Sequence, residues 1–437
     1  MKKIMNRSLS VLLIAAMVIV GMSVYILRYI DDGKRWATYF GRANSGAYGV
    51  MLDRNEIPLA YFDATNTMYS TDGLTRISNY HVTGDYWGRT GTGLITRFWK
   101  ESQNFSLLTG TTRVQNSVMR LNIDARLNNR IFEALGADRE AAVLLCNWKT
   151  GELLGMVSTP TIDPILPNEN PKDGTYINRC ISAAFIPGST FKLVTAAAAL
   201  ENMPNIDSRQ FYCEGVNEVA GVEITDVAPH YTQTFEKALA NSCNVAFSQI
   251  GIDLGQNTMV KYVKQLGFLD SHSLDGISTA KGSYPTDFVG DPEIGWSAIG
   301  QSIDLVCPYS MLRYVCAIAN GGVCIEPKMV NDGKPGEETR LIKASTAQRL
   351  TEMMNFTVVD HYYADSMFPG LGSTLCAKTG TAELGDGTSN SWFVGFLADE
   401  EHPFAFVTLV EHGGYGITTA GTITNEFLQW AVENIEQ

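Results

Sequence analysis

Residues 8–27, SLSVLLIAAMVIVGMSVYIL, are uncharged and mostly apolar throughout, and they are bounded by Arg7 and Arg28. A helix of about 20 such residues crosses the hydrocarbon core of a bilayer. One such span leaves a short head, residues 1–7, and obliges everything after it to fold on one side. Gly21 and Ser23 would suit a cleaved signal peptide, but the apolar run continues past them to Leu27, which favours an uncleaved anchor. Lys2, Lys3 and Arg7 precede the span while Arg28, Lys34 and Arg35 follow it, so charge bias hardly orients it. The simplest arrangement is a single-pass anchor in the cell membrane, with a cytoplasmic tail and an extracytoplasmic body.

That body has enough apolar material for two to three domains, since 45% of the 437 residues are hydrophobic and 18% charged. A net charge of −13 and the lack of a basic run after residue 35 exclude nucleic acid as a partner, because a phosphate backbone needs clustered Lys and Arg. The eight cysteines show neither a C-x-x-C pair nor zinc spacing. Buried free thiols are therefore expected, with no metal site and no cofactor. An exported chain with so many thiols fits a reducing or anoxic setting.

Residues 36–112 are mixed and turn-rich, which predicts a small β-rich module between membrane and body. Residues 88–93, GRTGTG, resemble a phosphate loop, but no Lys-Ser or Lys-Thr follows, so they read as a turn. His81 has no metal-spaced companion and reads as structural. Beyond a boundary near residue 115 the elements lengthen. A helix over 123–135 is capped by Asp124, and a hairpin over 141–156 turns at Lys149-Thr150-Gly151. Residues 234–254 and 305–320 read as helices, 375–378, 391–397 and 405–411 as strands, and 422–435 as a last helix.

The chemistry centres on residues 185–200, FIPGSTFKLVTAAAAL, where Pro187 and Gly188 stop the preceding chain and an unbroken Ala-rich helix follows. Ser189 then sits in the first turn, with Lys192 three residues on and on the same face. A serine hydroxyl needs a base to act as a nucleophile, and a lysine among apolar side chains gives up its charge readily enough to serve. Alone the pattern means little: Ser278 to Lys281 repeats it in a loop. Ser242-Cys243-Asn244 marks a turn between helices, and Lys378-Thr379-Gly380-Thr381 ends a strand. Each has a decoy, at Ser102 to Asn104 and at Lys149 to Gly151. Only one ordered triple, Ser-x-x-Lys, Ser-x-Asn, Lys-Thr-Gly, stands on a helix start, an inter-helix turn and a strand.

That triple is the signature of the serine penicilloyl-enzyme superfamily, and the chain resembles a monofunctional, class B penicillin-binding protein from its anchor to its C-terminus. The resemblance extends to YINRCISAAFIPGSTFK, FYCEG from Phe211, ALANSCNVAF from Ala238, IGQSIDLVCP from Ile299, and AKTGTAE followed by SWFVGF. Gly49, Asp53, Arg54 and Asn55 match the family's membrane-proximal Arg-Gly-x-Ile-x-Asp-Arg-Asn-Gly signature, from which Tyr48 and Glu56 depart.

The resemblance implies an α+β fold: a transpeptidase domain (116–437) with a central antiparallel sheet and a helical lobe, preceded by a tail (1–7), an anchor (8–28) and a pedestal module (29–115). It implies a peptidoglycan DD-transpeptidase, acylated by β-lactams, that takes stem peptides ending in D-Ala-D-Ala and works beside a glycosyltransferase of the elongation or division machinery. Ser189 would be the nucleophile, Lys192 its base and Ser242 a proton relay. Asn244 would hold Lys192 and the substrate amide. Lys378, Thr379, Gly380 and Thr381 would bind the terminal carboxylate, and the N–H groups of Ser189 and Thr381 would form the oxyanion hole. Cys243 is expected to point into the helix core, and His230 and His412 to be satisfied or superficial. A β-lactam-hydrolysing or β-lactam-sensing relative shares the triple but not the module; a non-catalytic scaffold would be expected to have lost part of it.

Overall fold

The computed structural model describes residues 2–41, 49–62, 67–85, 87–95, 103–106, 111–114, 117–166, 170–219, 221–288, 290–362 and 364–436. Tyr48, Ser102 and the expected boundary at 115 and 116 lie outside the described residues. Helix α1, Lys2–Gly41, contains the apolar run; its segment Arg7–Asp32 has a mean hydropathy of 2.5 in its most apolar window and is long and apolar enough to cross a membrane. The helix continues past residue 36, where the sequence suggests turns.

The module carries strands β1 (Gly49–Leu52), β2 (Pro58–Phe62) and β3 (Thr67–Tyr69). Its fourth strand, β4 (Ser117–Arg120), comes from beyond residue 115 and pairs in parallel with β1, giving the order β3-β2-β1-β4. The sheet thus overruns the expected boundary, because β4 supplies the hydrogen-bonding partner for the outer edge of β1. Asp53 holds the turn after β1 by accepting from the N–H groups of Asn55 (2.8 Å) and Ile57 (2.7 Å), and it reaches the N–H of Ala125 (3.0 Å). Glu56 occupies the left-handed region at φ 61, where the family signature has glycine, and pairs with Arg120 at 2.7 Å.

Next come α2 (Ala125–Leu135), capped by Asp124 as expected, and the hairpin β5 (Ala141–Asn147) and β6 (Leu153–Thr159). They join β11 (Leu375–Glu383), β12 (Ser389–Leu397) and β13 (Phe404–Val410) in a five-stranded antiparallel sheet ordered β11-β12-β13-β5-β6. β5 and β13 are buried along their whole length, as strands covered on both faces must be. Helix α8 (Thr422–Asn434) packs with α2 on one face.

The other face carries the helical lobe: α3 (Lys192–Asn202), α4 (Phe235–Ala240), α5 (Asn244–Gln265), α6 (Pro308–Ala319) and α7 (Ala344–His361). α3 lies at its centre because Ala196, Ala197, Ala198 and Ala199 are small enough for neighbours to close on every side; all four are fully buried. The stretch before α4, which the sequence shows only as loop, holds short strands β7 (Gln210–Cys213), β8 (Val216–Val219), β9 (Val222–Thr225) and β10 (Tyr231–Thr234). β7 pairs with β10 and β8 with β9. One hydrophobic cluster runs from Met51, Leu59 and Val82 of the module through Leu144 and Met156 to Leu193 and Phe247, so module and lobe share a core.

Candidate active site

The nucleophile turn is built one step differently from the sequence expectation. Gly188–Phe191 is a single 3₁₀ turn, and the α-helix begins at Lys192 rather than at Ser189. Gly188 sits at φ +53 with Ala382 Cα 3.0 Å from where a Cβ would lie, and the space beside Gly380 is closed by Pro187 O at 2.7 Å. β11 therefore lies against the serine turn at a distance only glycine permits. Trp392 on β12 fixes the approach by donating its indole N–H to Ile186 O (2.9 Å), and Gly188 N donates to Gly300 O (3.0 Å).

Lys192 Nζ lies 3.0 Å from Ser189 Oγ, 3.2 Å from Ser242 Oγ and 2.7 Å from Asn244 Oδ1, and it also donates to Ser242 O. The Ser242 to Cys243 turn between α4 and α5 brings the second motif in. Ser242 takes φ 55, a conformation that costs a side-chain-bearing residue roughly 1–2 kcal/mol, and is held there by its own N–H on Leu239 O (3.0 Å) and that of Cys243 on Ala238 O (2.9 Å). Lys378 Nζ, on β11, lies 2.9 Å from the same Ser242 Oγ and donates to Thr379 O. Five of the expected residues, Ser189, Lys192, Ser242, Asn244 and Lys378, thus form one connected set. Both lysines are fully buried. Burial pulls Lys192 down to about 8, partly opposed by Asp226 and Cys243; burial and then Lys192 itself hold Lys378 well below its ordinary value.

β11 is an edge strand and runs through the whole third motif to Glu383, further than the sequence suggests. Thr379 N points off this free edge, where it donates to Tyr362 OH (3.0 Å), and the two-residue period turns Thr381 N the same way. Gly380 faces Pro187, while Thr381 Oγ1 accepts from Gly416 N (3.1 Å). Tyr362, just after α7, also exchanges a hydrogen bond with Thr379 Oγ1 (2.8 Å) and is buried. No local signal marks it, because it reaches the motif from seventeen positions away.

The decoys stay apart from this set. Lys149 pairs with Glu400, and Lys281 is exposed. His81 is buried with Nε2 3.4 Å from Pro160 O, and His412 Nδ1 meets Thr388 Oγ1 at 2.6 Å. Cys243 is fully buried in the hydrophobic cluster, as expected, and from there it also caps α5, its sulfur accepting from Ala246 N (3.4 Å). One expectation needs correction. His230 is neither superficial nor satisfied, since Nδ1 is buried without a hydrogen-bond partner 3.5 Å from Asp226 Oδ2. Spacing hid a further cluster. Cys213, Asp226, His230 and Cys243 place one potential ligand atom each within 4.8 Å of the others, although nothing in sequence groups them.

Residues 141–429 match the family model for the penicillin binding protein transpeptidase domain. The chain belongs to this family. Stage V sporulation protein D of Bacillus subtilis is 30% identical over 311 residues, covering 65% of this chain and 47% of that protein. Peptidoglycan D,D-transpeptidase PbpA of Mycobacterium tuberculosis is 27% identical over 344 residues, covering 69% of each. The chain thus spans about half the length of the first relative. The transpeptidase fold recurs in the solved structure of penicillin-binding protein A from M. tuberculosis as its penicillin G acyl-enzyme complex, with a TM-score of 0.72 and 23% identity over 89% of this chain and all of that one. The α+β architecture of the transpeptidase domain is therefore as expected.

Proposed function

We propose that the chain is a serine D-Ala-D-Ala transpeptidase that cross-links peptidoglycan and is acylated by β-lactams. The observation that carries this is the shared hydrogen-bonded set of Ser189, Lys192, Ser242, Asn244 and Lys378 beside the open edge of β11. The naming of the M. tuberculosis relative as a peptidoglycan D,D-transpeptidase supports the same reading.

In this mechanism neutral Lys192 takes the proton from Ser189 as Oγ attacks the carbonyl carbon of the penultimate D-Ala. In this reading the oxyanion is received by the N–H groups of Ser189 and Thr381; such a donor contributes roughly 3–4 kcal/mol. The C–N bond breaks, and the proton on Lys192 passes through Ser242 Oγ, in contact with both lysines, to the departing D-Ala amine. Lys378, Thr379 and Thr381 hold the terminal carboxylate, with Gly380 allowing the strand to close in. Asn244 fixes Lys192 and the substrate amide. An amine from a second stem peptide then attacks the ester, restores Ser189 and forms the cross-link.

The division into tail 1–7, anchor 8–28, pedestal 29–115 and transpeptidase domain 116–437 belongs to this reading, as do membrane attachment, an extracytoplasmic catalytic domain and a glycosyltransferase partner. The test is labelling of the full-length chain with a fluorescent penicillin, followed by mass spectrometry of the adduct. A persistent ester on Ser189 that disappears in Ser189→Ala is expected. A label on another residue, or one that clears within seconds as in a β-lactamase, overturns the proposal.

A further inference from the structure

We propose that Cys213, Asp226, His230 and Cys243 form a four-ligand site for a zinc ion, which clamps the Ser242 to Asn244 segment from behind. Two thiolates, an imidazole and a carboxylate are the ligand classes zinc takes in closed tetrahedral sites. Each comes from a different place. Cys213 ends β7, Asp226 follows β9, His230 precedes β10, and Cys243 caps α5.

The geometry is close to that of a bound site. Asp226 Oδ2 lies 3.5 Å from Cys213 Sγ and 3.5 Å from His230 Nδ1. Ligand atoms around zinc, with bonds of about 2.0–2.3 Å, stand roughly 3.3–3.8 Å apart. The widest pair here, within 4.8 Å, would have to close by about an ångström, which side-chain rotation supplies. Cys213 and Cys243 are buried, and neither is in a disulfide. His230 Nδ1 is the second, independent sign: a buried nitrogen with no hydrogen-bond partner, 3.5 Å from the Asp226 carboxylate in a ring that reaches the same cluster as the two sulfurs.

An outer layer is also in place. Gly215 N donates to Cys213 Sγ (3.4 Å), Ala246 N to Cys243 Sγ (3.4 Å), and Asn244 N to Asp226 Oδ2 (2.9 Å). Backbone N–H groups aimed at sulfur and carboxylate are what orient such ligands and stabilise thiolates. Binding converts two thiols to thiolates and releases their two protons to solvent, with no change of oxidation state. Because Cys243 lies between Ser242 and Asn244, fixing its sulfur fixes both neighbours, and through Asn244 Oδ1 the amine of Lys192.

The test uses the full-length chain purified in detergent under reducing conditions and analysed by elemental mass spectrometry. About one zinc per chain is expected, falling to background in Cys213→Ser and in Cys243→Ser. Wild-type protein stripped with chelator and reloaded with cobalt(II) alone supplies a reading that needs no variant to fold: it should show thiolate-to-cobalt charge transfer and strong tetrahedral absorption. Penicillin acylation of Ser189 should slow after chelation and recover with zinc. Zinc at background in the wild type, full zinc in both Ser variants, or a pale six-coordinate cobalt spectrum would each overturn the site. Unchanged acylation in metal-free protein would overturn the clamp. Metal content is read independently of catalysis, so failure of the transpeptidase reading leaves the zinc result standing.

Discussion

The depressed Lys192 amine makes the pH dependence of acylation a quantitative test of the mechanism. An ordinary lysine at 10.5 is about 0.03% neutral at pH 7, whereas one at about 8 is about 9% neutral. The gain is roughly 300-fold, or about 3.4 kcal/mol from a fall of about 2.5 in pKa at ~1.36 kcal/mol each. Its cause is burial: Lys192 has no exposed surface, and the partial positive counter-effects of Asp226 and Cys243 only moderate the shift. The base must be unprotonated to act, so activity rises with pH. The neutral fraction goes from about 1% at pH 6 to about 50% at pH 8 and about 90% at pH 9. The second-order rate constant for labelling Ser189 by penicillin, measured by stopped flow, should therefore climb about 50-fold from pH 6 to 8 and less than about 2-fold from 8 to 9. Lys192→Arg, whose guanidinium stays charged, should lose both the rate and the inflection. A wild-type rate that still rises tenfold between pH 8 and 9, or an inflection that survives in Lys192→Arg, would refute the assignment of the base.

Tyr362→Phe deprives the partly buried N–H and hydroxyl of Thr379 of their partner, which should lower stability by about 1 kcal/mol in urea unfolding and weaken penicillin binding more than the chemical step. Equal loss in both kinetic terms would show that the tyrosine does more than position Thr379. Gly380→Ala would put a methyl 2.7 Å from Pro187 O, so β11 must retreat from the serine turn; acylation should fall at least about tenfold while the sheet persists by circular dichroism. Wild-type acylation in this variant would contradict the close approach. Trp392→Phe removes the hydrogen bond to Ile186 O and should cost about 1 kcal/mol of stability together with a slower acylation, read by thermal unfolding and penicillin labelling. An unchanged rate would mean that the loop before Ser189 is held by other contacts.

The parts of the site that the sequence exposes are those where one residue and its near neighbours define the chemistry. Ser189 and Lys192 are three positions apart, and the Ala-rich helix after them is legible as a buried element. The sequence puts the helix start at Ser189, but Gly188 and the close passage of β11 impose a 3₁₀ turn there, and the strand that passes lies almost two hundred positions away. In sequence β11 reads as ending at Lys378 because Gly380 interrupts the strand pattern; pairing with β12 through Glu383 decides otherwise. Tyr362 and the cluster around Cys243 are hidden because their contacts are tertiary. Tyr362 meets Thr379 only where β11 passes the end of α7, and the four cluster residues meet only after the hairpins fold onto α5, where no spacing rule covers four separate segments. His230 looked superficial because its neighbours in sequence, Pro229 and Tyr231, give no hint of a buried nitrogen.

The continuous hydrophobic cluster joining Met51, Leu59 and Val82 to the catalytic lobe sets where the protein can be cut. Severing it near residue 116 would strip those side chains from their neighbours and leave bare oil on the fragment, which should then precipitate. A water-soluble version has to keep β1 and be trimmed nearer the bilayer.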